Sequence, residues 1–226
     1  MSSLPPYTPK VKICGLTNLD DALHAAASGA DYLGFILYPP SPRAVSPATV
    51  KQITTTLSTM YHASRFVGVF VNESAPTISQ LLNECGLDLA QLHGDEVPWM
   101  VGSPDSPLYG RCYKALRPTS LAEAEAEAEW FTPPDWQDNR PALLIDAYHP
   151  TLRGGTGAIA DWTLTARLAE TIPGLLLAGG LTPDNVADAV RQVRPFGVDV
   201  ASGVEARPGV KDRQKVEKFI AAAKGQ

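Results

Sequence analysis

The chain reads as an α/β protein, a single (β/α)8 barrel with a parallel eight-stranded core, and three observations lead there. Short apolar and β-branched runs of strand length recur along it, helix-like segments alternate strictly with them, and polar residues stand directly after the runs. Strict alternation predicts parallel strands joined by crossover helices, and eight such pairs are enough to close a barrel.

Taken in order, the first strand is expected over residues 11–15, with Asn18 as an N-cap type opening a helix over 18–28 and Gly29 suited to its stop. A strand over 32–37 leads to Ser46 and Pro47, a cap and a first-turn proline for a helix over 47–60. Strand 66–71 precedes helix 75–85, which Gly86 suits as a stop, and strand 89–93 precedes a short helix near 96–101. Strand 111–115 is followed by a helix over 120–130 whose Ala-Glu repeat is strongly helix-forming, its acids forming a solvated face. The Pro-rich segment Pro133-Pro134-Asp135-Trp136 reads as a loop on the N-terminal side of the barrel, where stability is the usual theme. The remaining pairs are strand 142–146 with helix 161–171, strand 175–178 with helix 183–193 opened by Pro183, and strand 198–201 with helix 212–224 capped by Asp212.

Composition narrows the function. With 226 residues, of which 44% are hydrophobic, the chain fills one core; residues 1–9 are expected as a flexible lead-in and 10–226 as the catalytic barrel. A net charge of -5 argues against nucleic acid as a partner, and no apolar run reaches membrane-spanning length. A small anionic molecule needs only a local pocket and stays open as a ligand. Cys14, Cys85 and Cys112 are odd in number and lack metal-ligand spacing, so the cytoplasm is expected, with no disulfide framework, no metal and no organic cofactor.

A barrel gathers residues past its strand C-termini at one mouth. That set is Cys14, Arg43, Asn72, His93, Asp146, Asp199 and Ser202. Glycines that let backbone N–H groups approach an anion follow three strands: Gly154-Gly155-Thr156-Gly157, Gly179-Gly180 and Ser202-Gly203. The last two clusters sit where such barrels commonly bind phosphate. Lys12, counted as one residue before Cys14, is expected in the helix-facing layer, away from the thiol, by the period-two rule.

These motifs together resemble the phosphoribosylanthranilate isomerase family. The resemblance is carried by Lys12-Ile13-Cys14-Gly15-Leu16-Thr17, Gly34-Phe35 with Ser41-Pro42-Arg43, Gly68-Val69-Phe70-Val71-Asn72, Gln91-Leu92-His93-Gly94, Leu144-Ile145-Asp146, Gly154-Gly155-Thr156-Gly157, Ala178-Gly179-Gly180-Leu181-Thr182-Pro183-Asp184-Asn185-Val186 and the run from Gly197 to Glu205. Ala147 and Ala201 depart from it, standing where the family often has a hydroxyl residue.

The resemblance implies an Amadori rearrangement in tryptophan biosynthesis, with Asp146 as general acid and Cys14 as general base. Arg43 would meet a substrate carboxylate, against the alternative of a surface arginine on a Pro-stiffened loop. Asp199 would orient ribose hydroxyls or anchor a loop, and His93 would contact substrate or serve as a hydrogen-bonded packing residue. Phosphate would fall to Gly155, Gly180, Ser202 and Gly203, while Glu205 and the 208–212 run would shape the phosphate loop and cap the last helix. To hold a proton at neutral pH, Asp146 would need its pKa raised by roughly 3 units, by apolar surroundings and nearby substrate anions. An ordinary thiol is only about a few per cent ionised there, so Cys14 needs a nearby cation or helix N-terminus. Two rivals are a histidine-pathway isomerase, whose resemblance is to a pair of aspartates, and a phosphate-binding barrel without turnover. A monomer or weak homodimer is expected.

Overall fold

In a computed structural model of the protein, residues 7–134, 136, 140–146 and 162–226 are described. Among these residues, strands β1 (Lys10–Ile13), β2 (Tyr32–Ile36), β3 (Arg65–Phe70), β4 (Leu89–Leu92), β5 (Cys112–Leu116), β6 (Leu143–Asp146), β7 (Leu175–Ala178) and β8 (Gly197–Val200) pair in parallel in sequence order. β8 closes on β1, and each strand falls within one or two residues of its expected position. Helices α1 (Leu19–Ala27), α2 (Pro47–Ser58), α3 (Ala75–Glu84), α4 (Trp99–Gly102), α5 (Leu121–Phe131), α6 (Thr163–Ala169), α7 (Val186–Val193) and α8 (Arg213–Lys224) alternate with the strands. No helix among the described residues is long and apolar enough to cross a membrane.

Local chemistry sets the helix starts. The side chains of Asn18, Ser46, Ser74, Ser120 and Asp212 each accept a hydrogen bond from a backbone N–H in the first turn, satisfying donors that a helix start leaves open. Two starts lie three residues beyond expectation: α4 begins at Trp99 rather than near 96, and α7 begins at Val186, not Pro183. Asn185 Oδ1 accepts from Thr182 N at 2.8 Å, so residues 182–185 form a side-chain-closed turn before the helix.

The period-two alternation of the strands sorts the apolar residues into two layers. Val11, Ile13, Leu33, Phe35, Leu143, Leu175 and Val198 face the helices, while Tyr32, Val67, Leu89, Tyr113, Ala115, Leu144, Leu176 and Ala178 fill the barrel. At the N-terminal base, Trp136 packs edge-on against Phe196 with ring centroids 6.3 Å apart, and its Nε1 donates to Arg140 O at 2.7 Å. Tyr7 closes the same end, donating to Pro195 O and lying 5.3 Å beneath the Arg194 guanidinium. The base is thus fixed by packing, which leaves the opposite mouth to polar residues.

One element went unforeseen. After a 3-10 turn at Ser202–Val204, strands β9 (Glu205–Arg207) and β10 (Val210–Lys211) form a small antiparallel hairpin before α8. Pairs this short are hidden by Pro208-Gly209, which reads in sequence only as a loop.

Leu176 is fully buried in the barrel interior, so Leu176→Ala should lower unfolding free energy by about 2–5 kcal/mol in urea titration. Ser46→Ala, which loses one exposed cap, should lower it by only about 1 kcal/mol. Equal effects would contradict the layering.

Candidate active site

At the C-terminal mouth, β1 contributes Cys14 immediately after its last residue. Cys14 N donates to Val200 O at 2.8 Å and Leu16 N to Gly34 O at 3.0 Å, so the turn carrying the thiol is pinned to strands on both sides. Lys12 is on the same face. It stands two residues before Cys14, and alternation therefore points both side chains into the barrel, which corrects its expected place in the helix-facing layer.

The Lys12 side chain is completely buried, with Nζ 2.8 Å from Asp199 Oδ1. Lys12 and Asp199 are direct register partners across the β1–β8 seam. Burial works against the Lys12 charge, yet Asp199, Cys14 and Tyr113 around it outweigh burial and hold the ammonium above the ordinary lysine value. Gly34 on β2 makes room for the group, since a Cβ there would lie 2.8 Å from Cys14 Sγ and 3.1 Å from Lys12 Nζ.

Cys14 is thus next to the cation it was expected to need. Burial nevertheless dominates and, with the Asp199 charge, keeps the thiol above its usual value against Lys12, which donates to it, and Lys211. The thiol is a weak acid whose thiolate, once formed, is a strong base.

A second ionic group covers it. Arg43 Nε and Nη2 each donate to a Glu205 carboxylate oxygen at 2.8 Å, a bidentate pair. Glu205 Oε1 also accepts from Gly209 N at 3.2 Å and Lys211 Nζ at 3.3 Å. Burial raises the Glu205 carboxyl, but these donors and charges overcome it and hold the group below the usual range. Lys211 is pushed down by burial, with Glu205 and Cys14 opposing. Its Nζ donates to Ala201 O at 2.9 Å and its N–H to Asp21 Oδ2 at 2.8 Å, fastening the hairpin to α1 and β8. Glu205 therefore acts chiefly on Arg43, whose stem crosses Gly15: a Cβ at that residue, where φ is +74, would lie 2.8 Å from Arg43 Cδ.

Asp146 ends β6 with its side chain 25% exposed and Oδ2 3.8 Å from Arg117 Nε. Arg117, itself largely exposed, is thus a cation at the edge of this carboxyl. His93 follows β4 on the inner face and has a buried Nε2 without a hydrogen-bond partner among the described residues. Burial leads, with Arg117, Lys12 and Lys114 adding, in pushing the imidazole down to about 4, so the ring is neutral at pH 7. Asn72 is a loop clamp: its Oδ1 accepts from Asp95 N at 2.6 Å, and its N–H donates to buried Glu96 at 2.9 Å. Glu96 is itself held by Lys114 Nζ at 2.8 Å, which ties the loops after β3 and β4 together.

The glycine clusters after β7 and β8 meet. A Cβ on Gly203 would stand 1.9 Å from Leu181 O, so only glycine permits this contact. Gly180 has φ +65, and its carbonyl accepts from Asn185 Nδ2 at 3.0 Å. Ser202 and Gly203 open the 3-10 turn, where the first N–H groups have no intrahelical acceptor. Gly155, the third expected contributor, lies outside the described residues, as does Ala147.

Sequence reasoning thus placed Cys14, Arg43, His93, Asp146, Asp199, Gly180, Ser202 and Gly203 around one mouth, but missed Lys12 and Arg117, and it named Lys211 only within a loop-shaping run. Counting alternation back from Cys14 would have found Lys12. Lys12→Met should raise the pH midpoint of Cys14 alkylation and Asp199→Asn should lower it, measured with Cys85 and Cys112 replaced by Ala. Shifts of the same sign would contradict this arrangement.

Residues 11–222 match the family model described as N-(5'phosphoribosyl)anthranilate (PRA) isomerase. A protein from Trichlorobacter lovleyi named N-(5'-phosphoribosyl)anthranilate isomerase is 43% identical over 95% of this chain and 98% of its own. A crystal structure of monomers of the dimeric phosphoribosylanthranilate isomerase from Thermotoga maritima superposes with a TM-score of 0.80 at 36% identity, covering 97% of this chain and 100% of that one. A phosphoribosylanthranilate isomerase in complex with reduced 1-(o-carboxyphenylamino)-1-deoxyribulose 5-phosphate gives 0.78 at 35%, with coverage of 97% and 100%.

Proposed function

The chain belongs to the N-(5'-phosphoribosyl)anthranilate isomerase family and carries out its reaction in tryptophan biosynthesis, and on that premise we propose that Cys14 and Asp146 divide the proton transfers. The observation that supports this most is their placement: Cys14 directly follows β1 and Asp146 ends β6, both on the inner face of one closed barrel.

The aminoaldose N-(5'-phosphoribosyl)anthranilate becomes the aminoketose 1-(2-carboxyphenylamino)-1-deoxyribulose 5-phosphate. Protonated Asp146 gives its proton to the furanose ring oxygen as the bond from that oxygen to C1′ breaks, leaving a Schiff base. Cys14 thiolate then takes the proton from C2′, forming an enolamine that tautomerises to the ketone. Lys12 is the counter-ion that makes a thiolate tolerable in a buried position, and Asp199 keeps Lys12 in place. With its Nε edge facing Glu205, Arg43 offers the Nη1 side to the anthranilate carboxylate. His93 and Asp199 line the sugar. The phosphate sits on Gly180, Ser202 and Gly203, joined by Gly155 from outside the described residues. Both steps are proton transfers, so the reading calls for no cofactor.

Residues 10–226 form the catalytic domain in this reading, with 1–9 as a lead-in whose Tyr7 rests on the barrel base. Three unpaired cysteines suit the cytoplasm. A monomer or weak homodimer fits a family with a dimeric relative in Thermotoga maritima.

Cys14→Ala and Asp146→Asn should each lower kcat by about 100-fold or more; substantial turnover in either would overturn the pair. The pH profile carries a sign. A base titrating above an acid gives a plateau, with loss of rate below the Asp146 transition and above the Cys14 transition, the latter above the ordinary thiol value of 9.0. In Asp146→Asn no acid remains to be lost, so residual kcat/KM should climb about tenfold per pH unit until the thiol ionises. A falling alkaline limb in that variant would contradict the assignment. Removing the carboxylate from a substrate analogue should abolish the preference for wild type over Arg43→Ala; a preference that persists would remove Arg43 from carboxylate binding.

A further inference from the structure

One buried polar chain inside the barrel has no place in the proton transfers just described. Tyr113 Oη donates to Gln91 Oε1 at 3.0 Å, and Gln91 Nε2 lies 3.0 Å from His93 Nδ1. Gln91 and Tyr113 are register partners on β4 and β5, and their exposures are 1% and 0%. Alternation along β4 puts His93 directly above Gln91 at the mouth.

The direction of the chain follows from the donor inventory. If the Gln91 amide were turned around, its NH2 would face the phenol and its oxygen would face His93. The phenol hydrogen would then lose its one hydrogen-bond acceptor among the described residues, Gln91 Oε1, since Lys12, Asp199, Cys14 and Tyr32 act on the phenol only through their charges and not by a hydrogen bond. The amide oxygen therefore belongs to Tyr113 and the amide N–H to His93 Nδ1. A ring nitrogen that accepts in a neutral imidazole leaves the proton on the other one.

We infer that Tyr113 and Gln91 fix His93 as the neutral Nε2–H tautomer, so that its buried, unpartnered N–H is held ready to donate to a sugar oxygen of the bound phosphorylated aminosugar. This rests on the active-site reading above. The groups around the ring agree: Arg117 after β5, Lys12 on β1 and Lys114 on β5 oppose a fourth positive charge. Glu96, the one carboxylate favouring imidazolium, is engaged by Lys114 Nζ and by the N–H groups of Asn72 and Gly94. Gln91 and Tyr113 are positioning residues, acting on substrate only through His93.

The test is ring-nitrogen NMR of the full-length enzyme labelled with 15N-histidine, beside steady-state kinetics, with His93 assigned by the signal lost in His93→Gln. Wild type should show a pyridine-like Nδ1 and a pyrrole-like Nε2, unchanged from roughly pH 6 to 8. Gln91→Glu places an acceptor opposite Nδ1 and should draw the proton there, with kcat/KM falling about tenfold. His93→Gln, whose amide N–H reaches toward the Nε2 position, should retain more activity than His93→Leu. Tyr113→Phe frees the amide to turn and should give mixed tautomers. A wild-type Nδ1–H form or imidazolium at neutral pH would overturn the inference, as would unchanged kcat/KM in Gln91→Glu once the proton has moved, or a pure Nε2–H form in Tyr113→Phe. The ring signals are read without turnover, so failure of the Cys14 and Asp146 assignment would register separately, as activity retained in their variants.

Discussion

The ion pair between Lys12 and Asp199 is the constraint on which the mouth of this barrel depends. Charges buried this deeply are tolerated only in pairs with good geometry, and removal of one partner typically costs about 3–5 kcal/mol because the other is left uncompensated. Barrel closure supplies that geometry directly, since β1 pairs with β8 and the two residues face each other in register. Cys14, Gly34 and Tyr113 are then arranged around the ammonium. Cys14 is therefore tuned by two opposing influences, burial raising its pKa and Lys12 lowering it, and the balance leaves a scarce but strong base.

Above this layer the mouth is assembled from ionic clamps rather than apolar packing. Glu205 joins Arg43 to Lys211 and so links the loop after β2 to the hairpin after β8. Glu96, with Lys114, joins the loops after β3 and β4. At the opposite end, Trp136, Phe196 and Tyr7 close the base by ring packing. Stability and chemistry are thus divided between the two ends, as barrels of this kind commonly divide them. Loops bound by charge-assisted hydrogen bonds hold fixed directions, which a hydrophobic contact would not impose.

The sequence made the strands legible because a fully buried parallel strand leaves a short apolar run that little else imitates. Cys14 and Asp146 were legible for the same reason, each standing just past such a run. Lys12 was misplaced because its position relative to Cys14 decides its face, and one residue of miscounting turns a strand side chain inside out. Arg117, Lys211 and Glu96 gave no local signal: each acquires meaning from a partner on another loop, and sequence spacing does not report that partner. The β9–β10 hairpin is too short for periodicity to reveal, and the start of α7 was displaced because Asn185, not Pro183, closes the turn before it.

The claim at the centre of this account is that Cys14 removes the C2′ proton. Substrate carrying deuterium at C2′ tests it directly, with the isotope effect on kcat compared between wild type and Cys14→Ser. A hydroxyl at the same position ionises far less readily than the thiol, which should make proton abstraction fully rate-limiting, so the variant should turn over far more slowly and show a larger primary isotope effect than wild type. An isotope effect and a rate that are both unchanged in Cys14→Ser would mean that another group takes the proton.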